Sequence, residues 1–207
     1  MRVEVLDLGI NNLTSLVLAL KRAGADSVDV IQDANQSKQS TLVVLPGVGS
    51  FGAAAIELER RSYRDLIQDR WKSGTSIMGI CLGMQLLGRA SEESAGVKGL
   101  NLVSGVSTLL TKEAGMRIPN VGWYPTEPIS SESHFRALTS HRDFYFVHSY
   151  HFLPDNSNEV LCKSSYGITN FVSGIQKERV IGFQFHPEKS AEIGGLLLKE
   201  VVRWASA

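Results

Sequence analysis

Ser76-Ile77-Met78-Gly79-Ile80-Cys81-Leu82-Gly83 is the stretch on which the reading of the chain turns. Ser76 to Ile80 is a short apolar run of the kind that forms a strand buried on both faces, and Leu82 to Ala90 is patterned as a helix. Between them lies a Gly-x-Cys-x-Gly elbow, Gly79 to Gly83. A nucleophile presented on so sharp a strand-to-helix turn needs small residues two positions to either side. The first N–H groups of the following helix favour the thiolate over the thiol. A cysteine taken alone is most often a small buried hydrophobe, and Cys162, within Val160-Leu161-Cys162, is left with that role. The glycines around Cys81 make it the candidate nucleophile.

The same alternation extends outward on both sides. Upstream, Val3 to Leu6, Val28 to Ile31 and Thr41 to Leu45 are predicted strands. A helix is predicted to begin near Asn12 or Thr14, with Leu13, Leu16, Val17 and Leu20 on one face. Gly52 to Trp71 is predicted helical with a break near Ser62. Strands and helices alternating through short connections imply a mostly parallel sheet with helices on both faces. Downstream, Asn101 to Leu110, Tyr145 to His148, Val160 to Cys162, Phe171 to Ile175 and Val180 to Phe185 are strand-like with few helices between them. They predict a mixed or antiparallel C-terminal extension of the sheet, closed by a helix from about Ala191 to Trp204, with loops at Ser130 to Ser133 and Asp155 to Asn158. The expectation is one α/β domain over residues 1–207, with no repeat or linker.

Bulk properties narrow the function classes. With 21 basic and 21 acidic residues the formal net charge is zero, so nothing electrostatic points to nucleic acid or an anionic membrane. Two cysteines are too few for a disulfide framework, and Glu4 and Asp7 interrupt any signal-peptide-like apolar start. No apolar run reaches bilayer length. A cytoplasmic protein is expected.

A base for Cys81 is offered by Phe183-Gln184-Phe185-His186-Pro187-Glu188. Pro187 keeps His186 extended. Glu188, two residues on, then lies on the face of the His186 ring, where a carboxylate fixes the imidazole tautomer. His148 and His151 are spaced as a pair of metal ligands but lack a third, so no metal is expected; His134 and His141 have no strand-end setting. Gly47-Val48-Gly49-Ser50-Phe51-Gly52 matches a dinucleotide fingerprint, yet the next strand ends in Cys81 where that site needs an acid. The preferred reading is a loop whose N–H groups face an oxyanion.

Taken together, LPGVGSFG (Leu45–Gly52), GICLGMQLL (Gly79–Leu87), Gly122-Trp123, YFVHSY (Tyr145–Tyr150) and QFHPEKS (Gln184–Ser190) resemble the class I, triad-type glutamine amidotransferases. The resemblance implies hydrolysis of L-glutamine to glutamate and ammonia, with Cys81 as nucleophile, His186 as acid and base, and Glu188 as its orienter. It implies an oxyanion hole from the N–H groups of Val48 and Leu82, and substrate contacts from Gly49, Gln85, His148, Ser149 and Tyr150. It also implies no cofactor and a heterodimer with a (β/α)8 barrel cyclase of histidine biosynthesis, met through Asn12, Trp123, Tyr145 and Lys189. Two segments depart from the pattern: Asn120 and Tyr124 stand where those glutaminase subunits have His and Asn, and the Gly9 to Asn12 turn is altered. Both segments are expected to face the partner. Paralogous subunits that serve sugar-amidating enzymes, and free-standing γ-glutamyl hydrolases, share the same core pattern.

Overall fold

The computed structural model describes residues 1–9, 12–111, 116–129, 135–138 and 142–207. The expected loop at Ser130 to Ser133, together with His134, His141 and part of the Gly9 to Asn12 turn, lies outside them. In chain order the strands are β1 (Arg2–Leu6), β2 (Ser27–Ile31), β3 (Leu42–Gly47), β4 (Ser76–Cys81), β5 (Ala90–Ser91), β6 (Gly105–Leu109), β7 (Asn120–Pro128), β8 (Arg142–His148), β9 (Tyr150–Pro154), β10 (Val160–Tyr166), β11 (Thr169–Lys177) and β12 (Val180–Phe183). The helices are α1 (Thr14–Arg22), α2 (Phe51–Arg60), α3 (Tyr63–Lys72), α4 (Leu82–Leu86) and α5 (Ala191–Ser206).

The main sheet has the order β2-β1-β3-β4-β12-β11-β10-β7-β8. Pairing is parallel from β2 through β12 and antiparallel from β12 to β8. The expected fold class, a mostly parallel α/β sheet with an antiparallel C-terminal extension, is therefore present. Its fully buried central strands β3 and β4 carry apolar side chains to both faces. One core gathers Leu16 and Leu20 of α1, Leu197, Leu198 and Val201 of α5, and the rings of Phe144, Phe146, Phe183 and Phe185. The other gathers Phe51, Leu58, Tyr63, Ile67, Met84 and Leu86 from α2, α3 and α4. No helix among the described residues is long and apolar enough to cross a membrane.

The predicted break at Ser62 is real: Ser62 has φ 55° and separates α2 from α3. Other boundaries shift for tertiary reasons. The helix predicted over Leu82 to Ala90 stops at Leu86. Beyond it Gly88 packs against Phe152 and the Gly105 carbonyl, and Arg89 N donates to Gly105 O at 3.0 Å, drawing the chain into β5. Of Asn101 to Leu110 only Gly105–Leu109 is strand, since Asn101 takes φ 52° and Leu102 N bonds Leu87 O. Three strands escape the sequence reading altogether, the two-residue β5 and the longer β7 and β9. β7 carries Gly122, Pro125 and Pro128, residues that argue against a strand from sequence. β9 leaves the main sheet after Ser149 and joins a second, three-stranded sheet, β5-β6-β9. That departure creates one wall of the site.

Candidate active site

The carboxyl ends of β3, β4 and β12 converge, as ligand sites do in open α/β sheets. Gly47 of β3 is the register partner of Cys81, and Phe183 of β12 is opposite Ile80, so Gln184 arrives beside Cys81. Cys81 holds φ 54° and ψ −111°, a strained conformation for a residue with a side chain, worth about 1–3 kcal/mol. Flanking glycines make the turn possible: a Cβ on Gly79 would lie 2.7 Å from the Gly83 backbone, and one on Gly83 would lie 1.7 Å from the Leu45 carbonyl oxygen.

His186 is 3% exposed, its backbone N bonded to Tyr145 O at 2.9 Å and its carbonyl accepting from Ser190 Oγ at 2.6 Å. Its backbone is extended, φ −102°, as Pro187 requires. Nδ1 lies 2.8 Å from Glu188 Oε1. The route to that contact differs from the expected strand alternation. Pro187–Lys189 form a 3-10 turn, and Glu188 folds back onto the ring. Nε2 has no partner of full hydrogen-bond geometry among the described residues, although Cys81 lies near enough to act on it. Burial pulls the His186 pKa down. Hydrogen-bond and charge interactions with Cys81 and Glu188 outweigh it and raise the pKa to about 10. The surroundings of the ring therefore favour its protonated form. Cys162, fully buried, has its thiol pushed up to about 12 by burial, which disfavours the thiolate there.

A cavity of about 180 Å³ opens beside Cys81, lined by Val48, Gly49, Leu82, Gln85, Val147, His148, Ser149 and Tyr150. Every residue expected in the oxyanion hole or against the substrate is therefore on one wall or another of a single space. His148 is structural as well as lining. Its Nδ1 faces Tyr150 O at 2.9 Å and its Nε2 faces Asn120 Nδ2 at 3.2 Å, which makes Nδ1 the protonated nitrogen and Nε2 the acceptor. Burial pushes its pKa down to about 3, so it stays neutral and serves neither as base nor as cation. His151 turns instead to Thr108. Among the described residues no group of His, Cys, Asp and Glu is placed to hold a metal.

The sequence reading missed Glu93, the one carboxylate lining this cavity among the described residues. It sits in a turn with no motif around it and is placed by Phe51 N, which donates to its Oε2 at 2.6 Å at the start of α2. Ser50 caps the same helix, so the glycine-rich loop ends in an ordinary N-cap.

Beside the His186–Glu188 pair a second cavity, about 230 Å³, is bounded by Asn12, Pro46, Gly47, Val48, His186, Glu188 and Lys189. Lys189 Nζ sits 5.8 Å from the Tyr145 ring centre, and Trp123 meets Tyr145 edge-on at 6.0 Å. The four residues expected at a partner surface thus gather on one side, next to His186. The Asn120 and Tyr124 departures do not belong to that surface. Asn120 is 0% exposed and holds His148, while Tyr124 packs between Phe146 and Tyr166. The exposed residues of this part of β7 are Val121 and Trp123. The replacement at Asn120 is thus a change of internal packing, and Tyr124 is a partly buried residue packed against the same core.

Residues 4–201 match the family model for glutamine amidotransferase class-I. This chain belongs to that family. Among curated relatives of the amidotransferase, the "Imidazole glycerol phosphate synthase subunit HisH" of Aquifex aeolicus is 39% identical over 99% of this chain and 98% of its own length. The protein of the same name from Pyrococcus furiosus is 37% identical over 98% of each chain. Among solved structures, one titled "Crystal structure of glutamine amidotransferase" superposes with a TM-score of 0.76 at 17% identity, covering 99% of both chains. "Structure of PurLQS from Thermotoga maritima" gives 0.75 at 20% identity over 98% of each chain. These two show that the amidotransferase fold extends over the whole chain.

Proposed function

We propose that residues 1–207 act as one amidotransferase domain, the glutaminase subunit of imidazole glycerol phosphate synthase in histidine biosynthesis. The observation that carries the chemistry is the strained Cys81 elbow with the His186–Glu188 pair beside it, opening on a cavity lined by Glu93 and by backbone donors. Glutamine enters with its ammonium toward Glu93 and its carboxamide over Cys81. The thiolate adds to the carboxamide carbon, and N–H groups of the Val48-Gly49 loop and of Leu82 hold the oxyanion. His186 gives its proton to the departing nitrogen, and a γ-glutamyl thioester remains. Water, deprotonated by the now neutral His186, adds to the thioester carbon. Glutamate leaves and the thiolate is restored.

Ammonia then passes by the second cavity to a (β/α)8 barrel cyclase docked over Asn12, Trp123, Tyr145 and Lys189 in a heterodimer. The relatives' identity over the full chain supports this pathway, and the burial of Asn120, with the packing of Tyr124 between Phe146 and Tyr166, weakens the sequence argument for a different partner. The test is a histidine auxotroph lacking its own glutaminase subunit, supplied with this chain and the barrel protein from the same organism. Growth without histidine is expected. Absence of growth when both proteins are soluble and expressed would move the chain to another ammonia acceptor.

A further inference from the structure

Gln184 is fully buried and one residue beyond β12, in line with His186 on the same face of the chain. Neither its sequence motif nor the triad gives it a task. Its Nε2 donates to Cys81 Sγ at 3.7 Å, and its Oε1 accepts from Gln85 Nε2 at 3.2 Å. Gln85 Nε2 also donates to Tyr150 O at 2.8 Å. Because a carbonyl oxygen accepts that bond, the atom Gln85 presents there is its NH₂ group, and it too must meet an oxygen on Gln184. The orientation of the Gln184 amide is therefore set by the network: its oxygen toward Gln85, its nitrogen toward the sulfur.

We infer that Gln184 is a working part of the nucleophile site, its amide N–H stabilising the Cys81 thiolate and Gln85 aiming that amide. The inference rests on Cys81 being the nucleophile. A buried polar side chain is costly to keep unless it is hydrogen-bonded, and this one spends its donor on a sulfur, a weak acceptor as a thiol and a strong one as a thiolate. The sulfur is negative twice in the cycle, before it attacks and when the tetrahedral adduct of water collapses. In that collapse the C–S bond breaks and its electron pair returns to sulfur. Gln184 meets both events from the strand that also delivers His186. Gln85, which lines the glutamine cavity, connects the occupied cavity to the nucleophile through a single amide.

The experiment compares the full-length chain with Gln184→Leu and Gln184→Glu. The rate of Cys81 alkylation by iodoacetamide, a probe that needs no glutamine site, is followed by peptide mass across the neutral and alkaline range. Gln184→Leu removes the donor. The expected result is a rate about tenfold lower at neutral pH with the whole pH dependence moved upward, recovering at high pH where the thiolate forms regardless. Gln184→Glu keeps an acceptor for Gln85 but sets an anion against the sulfur, and its rate is expected to fall further. A folding defect alone would not displace the pH dependence, and thermal melts report folding separately. Should Gln184→Leu fail to fold, the comparison rests on Gln184→Glu. Folded variants with the wild-type rate and pH dependence would overturn the role of Gln184 and leave Cys81 in place. A wild-type chain labelled at Cys162 in preference to Cys81 would overturn the nucleophile itself.

Discussion

Cys81→Ala is expected to lower glutamine-dependent synthesis by the assembled enzyme about 10⁴-fold or more, while synthesis from added ammonium salts stays within about twofold of wild type. The two halves of the reaction are chemically separate, and only the first needs a sulfur. Alanine at this position removes the one atom that forms a covalent bond and keeps the Cβ, so the elbow and the surfaces around it are retained. His186 loses one of the two groups that hold its proton, but Glu188 still fixes the ring at 2.8 Å. The measurement is a paired assay of one purified complex with glutamine and with ammonium. If the assembled variant complex also fails with ammonium, ammonia delivery is not what this subunit contributes.

The second large effect is on the scaffold. Gly83→Ala is expected to destabilise the chain by more than about 3 kcal/mol, a fall in Tm of roughly 10 °C, or to prevent folding. The added methyl would meet the backbone oxygen of Leu45 at 1.7 Å, and neither β3 nor α4 can give way without opening the sheet at the site. Gly195→Ala is the matching control. Gly195 lies on the exposed face of α5 with nothing within 4 Å of the added carbon, and alanine there should stabilise by about 0.5–1 kcal/mol through helix propensity. Thermal denaturation of the two variants side by side separates close approach from the ordinary cost of helical glycine. A Gly83→Ala protein melting within 2 °C of wild type would contradict the packing described for the elbow.

What could be read from the chain without its structure was whatever is local. Gly79, Cys81 and Gly83 announce the elbow because the steric demand and the residues that meet it lie within five positions. His186 and Glu188 were legible for the same reason, although the 3-10 turn that brings Glu188 back was not. Gln184 lies within a legible motif, but its contact with Cys81 exists only when β12 is set in parallel register against β4. Glu93 depends on a longer chain of causes, the stop of α4 at Leu86 and the turn into β5. The strand β7 was hidden by Gly122 and two prolines. It is also the element that holds Asn120 as a buried partner of His148, away from the surface to which the sequence reading assigned it.

The central claim is that Cys81 is the nucleophile of a glutaminase, and the most direct measurement is covalent capture at that sulfur. The chain, with its partner bound, is treated with a glutamine-analogue alkylating agent, and its peptides are mapped by mass. The mass of the adduct is expected on the peptide containing Cys81 and is expected to disappear when excess glutamine is present, with Cys162 unmodified. Labelling at Cys162, or labelling of Cys81 that glutamine does not protect against, would contradict the account.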